Sequence, residues 1–441
     1  GSTAAWLLKM GGRDVVLFEA EDYLGGHAYT HQTAVDDDGT RDVDMGFIFG
    51  KAGGYADLCL LMTAYGIERV ESSLQLCSTD GEEGERRFCN FKPEALPASS
   101  SARWQKEIAR FIELAQASWS RGRLLGILIP FGIWLRMHGF DDEFLECILQ
   151  PTLSLLFVTK LGVRQQPTAA VLDYFATNPP PHNGWIFLRK KEEGKQPVWR
   201  IKGGSRVLYG ALRQAIGPER ILFNTRVTKV VSRVDGQLEV MAGGTNLGIF
   251  SEVIMATHAD TSLQLLDQAR IHPLSRWLLS QVDYTSVQVH LHSDETFLPS
   301  NERWRALYNL RFITGSDGTR RMEMSGRIQQ LFGYGGTAPE LLLTVGNLSA
   351  LSPPIYKSFV WAHHTFDLWQ VVLMRAMLPW VNGCGRVHLA GSWTVDTGHN
   401  SAVQAGTRAA CAAGLRPAAS HQASERERHA FEMLLRLHCN K

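Results

Sequence analysis

Three short stretches near the start of the chain combine residue types and spacing suited to nucleotide chemistry. Gly1-Ser2-Thr-Ala-Ala opens a helix-like run on a glycine. Glu19 closes the hydrophobic run Asp14-Val-Val-Leu-Phe-Glu19, and Gly25-Gly26-His27 follows shortly after. In a dinucleotide-binding βαβ unit, a Gly-rich turn opens the first helix and an acid about 20 residues later takes the ribose hydroxyls. Glu19 stands where that acid belongs if Gly1 is the last glycine of the turn. On this reading the first strand and the leading glycines lie ahead of Gly1. An opening residue other than Met agrees with a trimmed fragment.

Other chemistry-bearing residues each carry two readings. Lys202, ahead of Gly203-Gly204-Ser205, is either a catalytic lysine or a surface charge at the start of a helix, and the surface reading is the simpler. His292 and Asp294 share one face of a strand, as an acid–base pair or, more simply, as structural groups. His363-His364 suggests a metal, but adjacent histidines on a helix point apart and no third ligand is evident, so no metal is expected.

The elements that must position these residues belong to a chain of 441 residues, long enough for two interleaved or successive domains. A formal net charge of +1 argues against a nucleic-acid-binding surface. The cysteines number seven, without any C-x-x-C pair, which points to free thiols in the cytoplasm or another reducing compartment. The apolar run 124–135 is well short of the roughly 20 residues needed to span a bilayer and contains a proline. A buried helix is expected there, with an interfacial patch receiving a lipid-like substrate as the alternative.

Along the chain, alternation over 42–49 suggests a strand pair around the acidic turn at 36–40, and helical spacing prevails from about 55 to 174. Stretches 81–87, 97–102, 178–184 and 189–195 read as loops. A helix over 207–216 precedes strand-like runs at 221–223, 226–231, 238–241 and 252–256. Mixed strands and turns follow over 284–350, and helical periodicity returns near 361–378. A strand at 386–391 leads to a helix opening at 398 and ending near 413. The tail, 416–441, holds one short, peripheral amphipathic helix.

Taken in order, these motifs resemble the flavin-containing amine oxidase superfamily, most closely its FAD-dependent amine oxidase-like oxidoreductases of bacteria, algae and plants. Some of those lie beside, or are fused to, cyclopropane fatty acid synthases. The resemblance runs from residue 1 to about 415. It is carried by Glu19-Ala-Glu-Asp-Tyr-Leu-Gly-Gly-His27, Val43-Asp-Met-Gly-Phe-Ile48, Trp199-Arg-Ile-Lys-Gly-Gly-Ser205, Thr225-Arg-Val-Thr-Lys-Val230 and Val253-Ile-Met-Ala-Thr-His258. Leu291-His-Ser-Asp294, Trp361-Ala-His363 with Phe366-Asp367, and Leu389-Ala-Gly391 with the Gly398-His-Asn helix complete it.

The resemblance implies an α/β fold. A Rossmann-like FAD-binding domain would be assembled from 1–55, 196–270 and 380–415, with an interleaved α+β substrate domain from 56–195 and 271–379. It implies FAD as cofactor. Gly1 and Ser2 would meet the pyrophosphate at the first helix N-terminus, Glu19 the ribose, and Gly25, Gly26 and His27 the pyrophosphate and flavin. The backbone of Val227 would hold the adenine, and Gly391 and Ser392 the ribityl-phosphate end. The helix beginning near Asn400 and Ser401 would aim its N-terminus at the flavin. The chain departs from the family pattern at Asn400-Ser401-Ala402, where an acid and a glycine are common, and at Ser392, where many members have Glu. His399 occupies a position that forms one wall of the aromatic cage in monoamine oxidases, and no second wall is evident. The implied reaction is hydride transfer from a C–H of a small molecule, apolar in one reading, to flavin N5. The alternatives are a flavin-dependent desaturase or isomerase of a lipid or isoprenoid chain, or a non-catalytic flavoprotein-like partner of a lipid-modifying enzyme.

Overall fold

The computed structural model describes residues 1–34, 40–51, 54–72, 75–80, 85–90, 98–154, 163–169, 171–172, 198–314, 320–334, 340–346, 351–365, 368–415 and 422–439. The expected loops 178–184 and 189–195, most of the turn at 36–40, and Phe366-Asp367 lie outside them.

The chain opens with α1 (Ser2–Met10), whose Ala, Leu and Met residues are strong helix formers and which is bounded by Gly1 and Gly11. A two-residue strand β1 (Leu17–Phe18) and the hairpin β2 (Thr30–Ala34) and β3 (Thr40–Asp44) follow. Next come β4 (Gly50–Lys51), α2 (Ala56–Ala64), β5 (Arg69–Ser72), β6 (Leu76–Asp80) and β7 (Glu85–Cys89). Two helices, α3 (Ala98–Leu128) and α4 (Phe131–Met137), then lead to β8 (Val198–Ile201) and α5 (Arg206–Ile216). The middle of the chain supplies β9 (Ile221–Leu222), β10 (Lys229–Ser232), β11 (Leu238–Ala242), β12 (Thr245–Phe250) and β13 (Val253–Met255), then α6 (Ala259–Leu265) and α7 (Pro273–Ser280). Strands β14 (Tyr284–His292), β15 (Tyr308–Thr314), β16 (Arg320–Arg327), β17 (Leu342–Val345) and β18 (Ile355–His364) precede α8 (Leu368–Ala376) and α9 (Leu378–Val381). The last elements are β19 (Val387–Leu389), α10 (His399–Ala412) and α11 (Glu425–His438).

Two parallel pairs, β1–β9 and β13–β19, join segments more than a hundred residues apart and carry the interleaving the sequence implied. A seven-stranded sheet, ordered β18-β14-β17-β16-β15-β6-β7, is antiparallel except for β15–β6. One core gathers α1, α2, α5, α10 and α11. A second packs α3 and α4 on the large sheet, and a third lies beneath α6 to α9 with β13 and β19.

The structure corrects several expectations. The stretch 55–174 is not uniformly helical, because it contributes β5, β6 and β7, and part of the presumed 81–87 loop is β7. Part of the expected 97–102 connection is the first turn of α3. Trp361 to His364 lies in β18 rather than in a helix, since the alternation Phe359, Trp361, His363 has a strand period of two. The tail helix is not peripheral: Ala430, Phe431 and Leu434 are fully buried in the first core. Packing of that helix also brings Cys439 to Cys411, Cα atoms 5.6 Å apart, where they form a disulfide rather than two free thiols. The 124–135 run is broken at Ile129-Pro130, and beyond it Phe131, Trp134 and Leu135 are buried as the simpler reading had it. No helix among the described residues is long and apolar enough to cross a membrane.

Phe111 of α3 is fully buried, with the rings of Phe131, Trp134, Phe140 and Phe144 at 5.9–6.1 Å. Phe111→Ala is expected to cost about 3–5 kcal/mol, read as a lowered urea midpoint for the unit containing α3.

Candidate functional site

The N-termini of α1 and α10 lie in one neighbourhood, and the space between the groups around them is termed the cleft. The N-cap of α1 is Gly1 and that of α10 is Gly398, and neither helix start is capped by a side chain. Their first N–H groups are therefore open to an anionic or carbonyl ligand. Gly1 sits against β13, where an added Cβ would lie 3.3 Å from the Cβ of Ala256. Gly1, Glu19 and His399 lie in one electrostatic neighbourhood. Burial raises the Glu19 carboxyl above the usual range, partly offset by the N–H groups of Glu21 and Ala20. The backbone of Thr225 donates to the Glu19 carbonyl at 2.8 Å, so the segment carrying Val227 runs alongside. Val227 itself has no backbone partner among the described residues.

Gly25 adopts φ +119°, and a Cβ there would strike the Ala28 carbonyl and the Tyr209 ring at 2.8 Å. Gly46 lies directly on the carbonyl of His27, leaving no room for a side chain. These contacts press the Gly25-Gly26-His27 turn between the β2–β3 hairpin and α5. The start of α5 is fixed by Asp44, which is nearly inaccessible. Its Oδ1 accepts from Thr30 Oγ1 (2.6 Å), Ser205 Oγ (2.8 Å) and the Ser205 N–H (2.9 Å). From α5, the Tyr209 hydroxyl reaches Nε2 of His399 at 2.6 Å, and Phe47 stacks on the same imidazole at 4.9 Å.

On the other side of the cleft the imidazole of His27 stacks between those of His258 (5.8 Å) and His363 (5.0 Å), with Trp361 edge-on at 4.6 Å. Tyr284 stacks on His258 at 4.6 Å and is pinned by the Ala259 N–H, which its hydroxyl accepts at 2.7 Å. Phe359 and Tyr29, 4.8 Å apart, extend the wall. Burial pushes His27 down to about 3 and His363 and His399 to about 4, and lowers His258. All four are therefore neutral near pH 7. Stacked rings present faces rather than converging nitrogens, and no metal-holding group of His, Cys, Asp or Glu occurs among the described residues.

Gly1, Ser2, Glu19, Gly25, Gly26, His27 and His399 are thus gathered at one place. Gly391, at φ +121°, lies beside Thr257 just beyond β19, with Ser392 next to it. The side chains of Asn400 and Ser401 turn elsewhere. Asn400 accepts from the Leu58 N–H (3.0 Å) and donates to Asp57 (3.0 Å), while Ser401 donates to the Thr397 carbonyl (3.3 Å). Only their backbone N–H groups remain for a ligand.

Lys202 is well exposed and pairs with Glu68 at 2.6 Å, as the surface reading expected. His292 is buried, bonded to Thr344 Oγ1 (2.7 Å) and to the Asp294 N–H (3.0 Å). It lies at the opposite end of β14 from Tyr284, roughly 27 Å away at the usual rise per residue. Asp294 caps the turn Glu295–Phe297. Neither residue serves the cleft. Sequence reasoning assigned no role to Phe47, Tyr209, His258, Tyr284, Trp361 or His363. The period-two alternation of 355–363 was the one signal that could have placed Trp361 and His363 together on a strand face.

A half-buried ribose-type acid, two uncapped helix N-termini and glycines whose Cβ would collide with neighbouring groups fit FAD. Fold and site together define an FAD-dependent oxidoreductase. The model of the flavin containing amine oxidoreductase family matches residues 1–349, and the chain belongs to that family. No curated protein matches it. Among solved structures it is similar in fold to the cyclohexylamine oxidase of Brevibacterium oxydans IH-35A, with TM-score 0.60 and 17% identity over 93% of this chain and 96% of that one. Putrescine oxidase bound to putrescine gives 0.62 and 16% over 93% and 95%. A CLA-producing fatty acid isomerase from P. acnes gives 0.63 and 13% over 92% and 94%.

Gly25→Ala is expected to weaken FAD binding by roughly tenfold or more, since the strained conformation alone costs about 1–3 kcal/mol. Gly210→Ala, where an added Cβ meets nothing within 4 Å, is expected to leave affinity unchanged; a fluorescence titration compares the two.

The unfolded chain takes up protons on these histidines near pH 6.5, whereas in the folded state His27, His363 and His399 resist protonation until about pH 3–4. Their contribution to stability is complete above pH 6.5 and is lost as pH falls towards 4. The melting temperature is expected to drop across that window, less steeply in His363→Phe.

Proposed function

We propose that the cleft walled by His27, His258, Trp361 and His363 receives the substrate, and that the carbon oxidised there belongs to an uncharged, largely apolar molecule. The carrying observation is the lining itself. Its imidazoles are held neutral by burial, its other walls are aromatic, and no carboxylate bonds to His27, His258 or His363 among the described residues. An ammonium substrate would surrender its hydration against neutral imidazoles and aromatic rings, and the acid felt by His258, Asp260, is solvent-exposed and offers only a screened counter-charge.

In this reading Glu19 binds the ribose hydroxyls, Gly1 and Ser2 at the α1 N-terminus meet the pyrophosphate, and the Val227 backbone meets the adenine. Gly25, Gly26, His27, Gly391 and Ser392 line the remainder, and the first N–H groups of α10, at Asn400 and Ser401, lend positive potential to the flavin edge. Bound FAD supplies the hydride-accepting centre. The chain's own residues exclude water and orient the reacting C–H. A neutral imidazole also has one acceptor nitrogen, so His27, His258 or His363 can accept a hydrogen bond that orients the substrate. We also propose the division into a cofactor domain (1–55, 196–270, 380–415) and a substrate domain (56–195, 271–379), with α2 and α11 packed onto the cofactor side.

The similarity in fold to both amine oxidases and a fatty acid isomerase leaves the substrate to the lining, which favours an acyl or isoprenoid chain over a polyamine. The test is anaerobic mixing of the FAD-loaded protein with unsaturated fatty acids, isoprenoids, and mono- and diamines. Bleaching of the flavin by an apolar chain, or movement of its double bond without net bleaching, supports the reading, whereas rapid bleaching by putrescine alone defeats it. Trp361→Ala is expected to raise KM for the active apolar compound about tenfold, with the flavin spectrum of the free protein unchanged.

A further inference from the structure

Helices α7, α8 and α9 share the third core. Leu278, Leu279, Leu373, Met374, Leu378 and Val381 fill its interior. Each of these helices bears one tryptophan on its outer side: Trp277 is 39% exposed, Trp369 54% and Trp380 82%. Every other tryptophan side chain described is buried or half-buried. In α7 the exposed Pro273, Trp277 and Ser280 form one stripe at helical spacing. Helices α8 and α9 are separated only by Met377, which itself keeps right-handed helical angles. Trp369 and Trp380 are both exposed, while Leu373, Met374, Leu378 and Val381 of the same two helices are buried in the core. Ser275 Oγ donates to the Val381 carbonyl at 3.5 Å and ties α7 to the end of α9, beside Trp277 and Trp380.

The charge of this face is one-sided. Residues 268–282 and 368–395 include Arg270, Arg276, Arg375 and Arg386 but no Asp or Glu. Acids appear at its sequence borders, at Asp267, Asp283, Asp367 and Asp396, and the turn carrying Asp235 and Gly236 lies against Arg386. Arg276 is folded back onto the carbonyls of Leu266, Asp267 and Ala269, whereas Arg270, Arg375 and Arg386 are exposed.

We infer that the outer face of α7, α8 and α9 docks on an anionic phospholipid surface. Tryptophan seats its apolar ring among acyl chains while its N–H stays at headgroup level, and the arginines meet the phosphates. No helix among the described residues is long and apolar enough to cross the bilayer, and α7, α8 and α9 would lie at its surface. A second copy of the same face is the poorer occupant, because two-fold pairing would set its exposed arginines against one another.

The test is co-sedimentation of the FAD-loaded protein with phosphatidylglycerol vesicles and with phosphatidylcholine vesicles. Expected is binding to the anionic vesicles that weakens with salt and is lost in a Trp277→Gln, Trp369→Gln, Trp380→Gln variant. Those side chains are exposed, so the variant should keep the wild-type melting temperature and flavin spectrum, which are checked alongside. Arg375→Glu with Arg386→Glu is expected to weaken partitioning roughly thirtyfold or more, from about 1 kcal/mol per basic charge removed. Failure to bind phosphatidylglycerol, equal binding to phosphatidylcholine, or undiminished binding by the triple tryptophan variant overturns the inference. So does loss of self-association in that variant without any vesicle binding by the wild type.

Discussion

Asp44 is the point on which the rest of the site depends. A carboxylate with almost no solvent access is tolerable only where donors satisfy it, and three of them converge on its Oδ1 from Thr30 and Ser205. Burial pushes its protonation upwards while those donors pull it back. The requirement reaches into the sequence. A Cβ on Gly204 would meet Thr30 at 2.7 Å and Asp44 Oδ1 at 3.1 Å, so the turn before Ser205 must be glycine for the donors to arrive. The Lys-Gly-Gly-Ser and Val-Asp-Met-Gly motifs, about 160 residues apart, are two halves of one contact.

From that contact both walls of the cleft are positioned. In one direction α5 carries Tyr209 to His399 and against Gly25. In the other, the strand ending at Asp44 continues to Met45, whose carbonyl accepts the indole N–H of Trp361 at 3.1 Å. That bond fixes the end of β18 and with it the stack of His363 on His27. The cofactor-side turn and the outermost strand of the seven-stranded sheet are thus held in register by side chains rather than by a shared backbone ladder.

What the sequence made legible was local. Glycine turns, a strand-end acid and helix starts announce themselves within a few residues, so Glu19, Gly25-Gly26 and the Gly398 helix could be read directly. The histidine stack could not, because its members come from a turn after β1, the end of β13 and the end of β18, and nothing in one segment specifies its neighbours in space. Trp361 and His363 were misread because β18 runs straight into a helical pattern from Leu368 onward. The burial of α11 was missed for a related reason. Its apolar face is short, and only the existing surface of α2 and α10 makes it a core element. His292 and Lys202 show the converse: suggestive residue types whose chemistry is spent on Thr344 and Glu68.

The C-terminal helix has a mechanical meaning for α10. His438 reaches Asp57 at 2.7 Å, Asp57 in turn receives Asn400 and Gln404, and the adjacent Cys439 is joined to Cys411. These links grip α10 at its first turn, in its middle and at its last turn. It cannot slide along its axis like a piston, nor rotate without breaking several bonds at once. In the proposed reading, the positive end of this helix would be a fixed electrode, set before any charge develops on a bound flavin. A dipole fixed in this way pays no reorganisation energy at each turnover.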